Sequence, residues 1–181
     1  GVVGGTVNTV VKRATADGEQ PVEVLASYGR FDSYQLGIGG GGQLGDSTWF
    51  RVDVNQYGSN GYVDRMDPES TNVTASLLWQ ATDDFDVDFQ VDYLDDSLAD
   101  YWGTPLVPQD AAISPLTDVI LTSGGETVDK RARFRNFNVK DSRAVSDQLL
   151  FRVDMSWRLS ENVELKNTTY SFNADRDWGN A

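Results

Sequence analysis

Two stretches of the chain gather side chains suited to holding a ligand. "DSLADYWGTPLVPQD" sets Tyr101 and Trp102 side by side, just ahead of Gly103 and Pro105. Tyr and Trp give a large rigid contact area with a polar tip, the chemistry that packs on a bound solute. The competing expectation is an interfacial aromatic girdle or packing within a loop. "VDKRARFRNFNVKDSR" collects Lys130, Arg131, Arg133, Arg135, Lys140 and Arg143, six of the 15 basic residues in the chain. Such a cluster steers an anionic ligand. Contact with anionic lipopolysaccharide, or a merely solvated loop, is the plainer alternative.

Other constellations carry less. "DYLDDSLAD" offers Asp92, Asp95, Asp96 and Asp100, but not at the spacing of a Ca²⁺ loop, so a solvated acidic rim is expected and no metal site. "GIGGGG" at 37–42 matches G-x-G-x-x-G in form only. A turn and a strand pattern follow it where a dinucleotide fold needs a helix. Small residues at a close backbone approach explain it better. Asp83 and Asp84 lie in a turn, with no sign of an acid–base pair. The chain holds no His and no Cys, which removes the commonest catalytic base and thiolate metal sites. No catalytic residues and no cofactor are expected. A net charge of −13 argues against nucleic acid as a partner.

The elements that must position these loops alternate with period 2. In "FDVDFQVDYL", Phe85, Val87, Phe89, Val91 and Tyr93 share one parity and Asp86, Asp88, Gln90 and Asp92 the other. Successive side chains of a strand point to opposite faces, so one face is apolar and the other acidic. The same pattern predicts strands near 22–28, 34–42, 48–57, 71–80, 85–94, 147–159 and 163–173. The last starts cleanly at Val163 and Leu165, then puts Asn167 and Thr169 where apolar residues are expected, so a bulge is expected there. Several strands reach the ~9–11 residues of a tilted membrane strand. "LGDS", "ATDD" and "SEN" are tight polar turns, whereas residues 58–70 and 95–146 make long connections. Short turns at one end and long loops at the other are the layout of an outer-membrane barrel. Arg51, Arg152, Arg158 and the Asp rows then face the lumen, because a Lys or Arg in mid-membrane lipid costs ~2–4 kcal/mol. Seven strands leave two open edges, which hydrocarbon does not tolerate.

The order of motifs resembles that of TonB-dependent ferric-siderophore receptors. "GVVGGTVNTVVKRA" is similar to the end of their plug domain, with Gly4, Gly5, Asn8, Lys12 and Arg13 as the matching residues. "VEVLASYGRFDSYQLGIGGGGQLGDSTWFRVDVNQYGSNGY", "SLLWQATDDFDVDFQVDYLDDSLADYWGTP" and "RNFNVKDSRAVSDQLLFRVDMSWRLSENVELKNTTYSFNADRDW" resemble barrel strands one to seven in order. The resemblance implies a segment of an all-β antiparallel barrel of about 22 strands around a plug. Residues 1–20 are then the plug's end and linker, and 21–181 the first part of the barrel. It implies import of iron as a siderophore chelate through the outer membrane of a Gram-negative cell, driven by TonB, with lipid and lipopolysaccharide around the wall. Tyr101, Trp102, Arg131, Arg133 and Arg135 are the expected siderophore contacts.

Two alternatives stay open on the sequence. If residues 4–12 add an eighth strand, a small closed outer-membrane barrel with an adhesive or structural role becomes possible. A soluble β-sandwich binding module also alternates apolar and polar residues.

Overall fold

The computed structural model describes residues 11–16, 20–98, 100–108, 119–121 and 124–179. Gly4, Gly5 and Asn8 lie outside the described residues, as does the side chain of Arg131. Seven long strands form one antiparallel meander: β1 (Glu23–Tyr28), β2 (Tyr34–Gly45), β3 (Thr48–Gly58), β4 (Glu69–Thr82), β5 (Phe85–Ser97), β9 (Arg143–Ser160) and β10 (Val163–Gly179). Between β5 and β9, three short strands, β6 (Val107–Pro108), β7 (Val119–Leu121) and β8 (Glu126–Asp129), make a separate small sheet in the order β6-β8-β7. The alternating segments are therefore the strands expected. They run longer at the ends away from the tight turns; β9 reaches 18 residues and β10 17.

The two faces of the sheet are inverted relative to a soluble protein. On one face, Val24, Ile38, Val54, Val91, Phe151 and Trp157 are exposed. On the other, Arg51 is 6% exposed, and Thr74, Ser76 and Ser146 are buried. Register fixes the faces: Val54 pairs with Val73, which pairs with Tyr93, which pairs with Leu149. Arg51 and Asp53 follow the opposite parity, with Ser76 and Thr74. A soluble sandwich buries its apolar face; here that face is bare and continuous, as lipid contact requires. This distribution rules out the soluble β-sandwich. The sheet ends at β1 and β10, which do not pair with each other among the described residues. Among the described residues it is an open section of wall; residues 4–10, which a closed eight-stranded barrel would draw on, lie outside them.

The three tight hairpins share a detail. Each carries a one-residue irregularity beside its turn, at Gln43/Gly45, Gln80/Thr82 and Val163/Glu164. Beyond the last of these, β10 pairs with β9 without a break from Glu164 to Gly179. The bulge expected at Asn167–Thr169 is absent; the slip sits at the turn instead. Because side chains alternate, a slip of one residue exchanges the faces of everything beyond it. Thr168 therefore bonds Asp154 at 2.6 Å on the polar face, and Tyr170 and Phe172 stand on that side too.

Residues 11–16 cross the polar face with no strand of their own. Arg13 Nη1 lies 3.6 Å from Asp88 of β5 and 3.3 Å from Asp154 of β9. The Ala14 N–H donates to Ser76 Oγ of β4 at 2.6 Å. Lys12 pairs with Glu23 of β1, which also accepts from Arg51 at 2.7 Å; Arg51 in turn bonds Asp53. One short segment thus ties four strands together, and Ser76, its partner on β4, is buried.

Candidate ligand-binding site

The glycine run of β2 explains how side chains fit beneath that segment. Gly37, Gly39 and Gly41 stand on the polar parity, opposite Asn55, Asp53 and Arg51. A Cβ at Gly39 would lie 2.0 Å from Asp53 Oδ1, and one at Gly37 2.6 Å from Asn55 Oδ1. At Gly41 it would lie 2.2 Å from the Phe50 carbonyl oxygen and 2.5 Å from Gln20 Oε1. The run is a smooth track over which β3 side chains fold and Gln20 passes. The expected close approach is found, and no helix follows that would make a nucleotide site.

The long connections gather at the other end. Phe31, Tyr62 and Tyr101, from three different connections, form a row of rings with centroids 6.3 Å and 6.1 Å apart. Arg65, held at a φ of 59°, donates to the carbonyls of Asn136, Asn138 and Val139 at 2.9–3.3 Å. The side-chain amides of Asn136 and Asn138 donate to the Asp100 carbonyl at 3.1 and 2.8 Å. The connection between β3 and β4 is therefore stitched to both ends of the β5–β9 connection. A guanidinium that caps three backbone carbonyls removes the freedom such a long loop would otherwise keep.

Tyr101 and Trp102, adjacent in sequence, part company here. Tyr101 is half-buried in the ring row and shares a hydrogen bond with Thr104 at 2.8 Å. Trp102 turns the other way, 63% exposed, and stacks on Trp178 at a centroid distance of 6.1 Å and an interplanar angle of 30°. Its indole N–H donates to Asp100 Oδ1 at 2.8 Å. Together with Leu98, Tyr101 and Arg176 these residues line a cleft of about 260 Å³ at the head of β5, β9 and β10. The cleft opens on the polar face of the sheet, the side to which Ser146 and Trp178 point.

The basic cluster does not join the cleft. Arg133 is exposed and lies over its neighbour Phe134 at 4.5 Å from the ring centroid; Arg135 is exposed as well. Neither forms an ion pair among the described residues. Arg143 is spoken for by Asp177 at 2.6 Å across β9 and β10. Both guanidinium groups are therefore left exposed at the loop rim, apart from the cleft. Lys12 and Arg13 of the motif near the start are likewise placed, as the ion-paired segment on the polar face.

Trp178, Arg176 and Arg65 were not singled out by the sequence, and Asp100 was expected only as part of a solvated acidic rim. Asp100 and Trp102 form a local contact two residues apart, visible only once the indole is seen to turn back. Trp178 and Arg176 sit at the end of β10, where the face is set by the slip at the turn and not by local pattern.

No protein-family model matches the chain. The chain is similar to the vitamin B12 transporter BtuB of Photobacterium profundum, at 25% identity over 182 residues. The match covers 90% of this chain and 30% of that protein, so the chain spans about a third of the relative's length. The likeness supports the TonB-dependent receptors as a group and does not extend to siderophores. With a bare apolar face outward and a tied polar face inward, the sheet is a wall section of a Gram-negative outer-membrane β-barrel.

Proposed function

We propose that the chain is the first part of the barrel wall of a TonB-dependent outer-membrane receptor that takes up a ferric siderophore. Residues 1–20 are the trailing end of its plug and the linker. The observation that carries this reading is the tie of Arg13 to Asp88 and Asp154, with polar strand residues buried beneath the segment. A chain that crosses the lumen and pairs with the wall is what a plug needs where it joins its barrel. TonB would act on a part of the plug upstream. The cargo carries its iron already chelated, so the protein needs no metal ligands of its own. Trp102 offers the exposed ring for contact, and Arg133 and Arg135, with Arg131, the attraction for an anionic chelate. Lipid surrounds the apolar face, and lipopolysaccharide its outer rim.

The similarity to a vitamin B12 transporter favours a second cargo, a corrinoid. Tryptophan quenching of the full-length protein separates the two. Ferric siderophores of the hydroxamate, catecholate and carboxylate classes are titrated beside cobalamin. The siderophore reading expects saturable quenching by one ferric siderophore, weakened in Trp102→Ala. Its association rate should fall with salt, and fall further in the Arg133→Ala, Arg135→Ala double variant. Quenching by cobalamin alone would replace the siderophore with a corrinoid.

A further inference from the structure

We propose that Arg65 is a positioning residue: its guanidinium clasps the outer connections to one another and thereby fixes the turn that carries Trp102. Its effect on cargo rests on the reading above, in which Trp102 meets the chelate. Three connections meet at this end of the sheet. The one between β1 and β2 is held to the one between β3 and β4 by Asn60, whose backbone N–H donates to the Phe31 carbonyl at 2.9 Å and whose side-chain amide donates to Asp32 at 2.7 Å. The one between β3 and β4 is held to the long β5–β9 connection by the Asp64 N–H, on the Phe134 carbonyl at 2.9 Å, and by Arg65. Val63, between these contacts, is 3% exposed.

Arg65 starts a relay. Its Nη2 donates to the carbonyls of Asn136 and Asn138 at 2.9 and 3.0 Å, and its Nη1 to that of Val139 at 3.3 Å. The same two asparagines turn their side-chain amides onto the Asp100 carbonyl. Asp100 in turn accepts the Trp102 indole N–H. A chain of hydrogen bonds thus runs from the guanidinium to the indole. Two features say that the position is kept for its side chain. The Arg65 backbone is left-handed, at a φ of 59°. Gly takes that conformation without steric cost and Asn or Asp more readily than most, so a residue serving the turn alone would be one of these. Strain of this kind persists where the surroundings over-determine it. The side-chain partners of Arg65 among the described residues are also all neutral carbonyls, in a chain with 28 acidic residues. An arginine placed for charge balance would pair with a carboxylate. A planar fork aimed at three carbonyls of one turn fixes geometry instead.

Three variants of the full-length protein in detergent test this: Arg65→Met keeps the stem, Arg65→Gly keeps the turn, and Arg65→Lys keeps a cationic donor. Hydrogen exchange by mass spectrometry reads the clasp at the Asp64, Asn138 and Ser142 amides, all bonded within these connections. Their peptides should exchange about threefold faster or more in the Met and Gly variants, less so in the Lys variant, with β4 peptides unchanged. A smaller rise in Arg65→Met, or wild-type protection in Arg65→Gly, overturns the clasp, as does equal acceleration in β4. Fluorine NMR of protein labelled with 5-fluorotryptophan reads the ring. The Trp102 line, identified by its loss in Trp102→Phe, should shift or broaden in the Met and Gly variants while the Trp49 and Trp79 lines stay. An unmoved Trp102 line overturns the positioning role. Isothermal titration with a ferric trihydroxamate, a ferric tricatecholate and ferric citrate then reads the cargo. Arg65→Met should weaken the chelate that binds by about threefold or more, and by clearly less in a Trp102→Ala background. An equal loss in both backgrounds overturns the route through Trp102. If none of the three chelates binds the wild type, the proposed cargo falls, and the exchange and fluorine results still decide the role of Arg65.

Discussion

Removing the Arg13 guanidinium tests how the segment 11–16 is held. In Arg13→Met the stem is kept and the charge lost. Asp154 retains Arg152, whose Nε lies 3.0 Å away. Asp88 retains only a neutral donor, Gln90 Nε2 at 2.8 Å, and now faces Asp154 directly across the β5–β9 pairing with less charge between them. Fully exposed pairs contribute up to about 1 kcal/mol. Stripping one partner from a fully buried pair costs about 3–5 kcal/mol. Here the Arg13 side chain is 36% exposed and the carboxylates 16% and 21%, so solvent screens the pair substantially. An intermediate cost of about 1–2 kcal/mol follows. Local opening of the segment should then become about 5–30 times more frequent. The reporter is the Ala14 amide, which donates to Ser76 Oγ and exchanges only when the segment lifts. Hydrogen exchange by mass spectrometry on the full-length protein reads this factor in a peptide spanning residues 11–16. Less than about a twofold change would show that the ion pairs do not hold the segment. A second refutation is available from Asp88→Asn. In that background Arg13→Met should add clearly less than it does alone, because the group left orphaned is no longer charged. Full additivity would mean that Asp88 is not the partner that matters.

Two further perturbations test the wall. Gly41→Ala should destabilise by about 1–3 kcal/mol, since its Cβ would meet the Phe50 carbonyl at 2.2 Å, whereas Gly45→Ala, with nothing within 4 Å, should be near neutral; the temperature at which full-length protein loses its heat-modifiable gel mobility compares them. Val91→Arg places a charge on the bare apolar face and should cost about 2–4 kcal/mol and lower the assembled yield, while Gln90→Arg, one residue earlier on the polar face, should assemble normally.

Much of the wall was legible because one parity must meet lipid and the other must not. In β5 every odd residue from Phe85 to Tyr93 is apolar and every even one polar, so strand, phase and face come from one rule. The tight turns were legible for the same reason, since the short polar runs "LGDS", "ATDD" and "SEN" interrupt the alternation. The candidate site was harder. The aromatic pair Tyr101–Trp102 is plain in the sequence, but the two rings do different work. Which one stays free depends on Tyr62, nearly forty positions earlier, and on Trp178, far later. The role of Arg65 was hidden more deeply, because its three partners are backbone carbonyls, which leave no trace in residue types.

The last strand shows why a local pattern can mislead about faces. From Val163 onward the odd residues are Val, Leu, Asn, Thr, Ser and Asn, and the even ones include Tyr170 and Phe172. Taken alone, the apolar parity changes sides partway along, which is what a mid-strand bulge would produce. The pairing tells otherwise. Val163 pairs with Ser160 and Glu164 with Arg158, so Leu159 is the extra residue and the slip is already complete at the turn. Without that slip Tyr170 would face Val153 and stand with the lipid-facing row. With it, Tyr170 pairs with Arg152 and Phe172 with Leu150, and Trp178 comes opposite Ala144 on the polar face. The same turn therefore decides whether the cleft exists. If β10 were displaced by one residue, Trp178 would leave Trp102 and point outward, and Arg176 would go with it. Three hairpins at one end of the sheet each carry such a slip, so the turns, as well as the strands, fix which side chains reach the lumen.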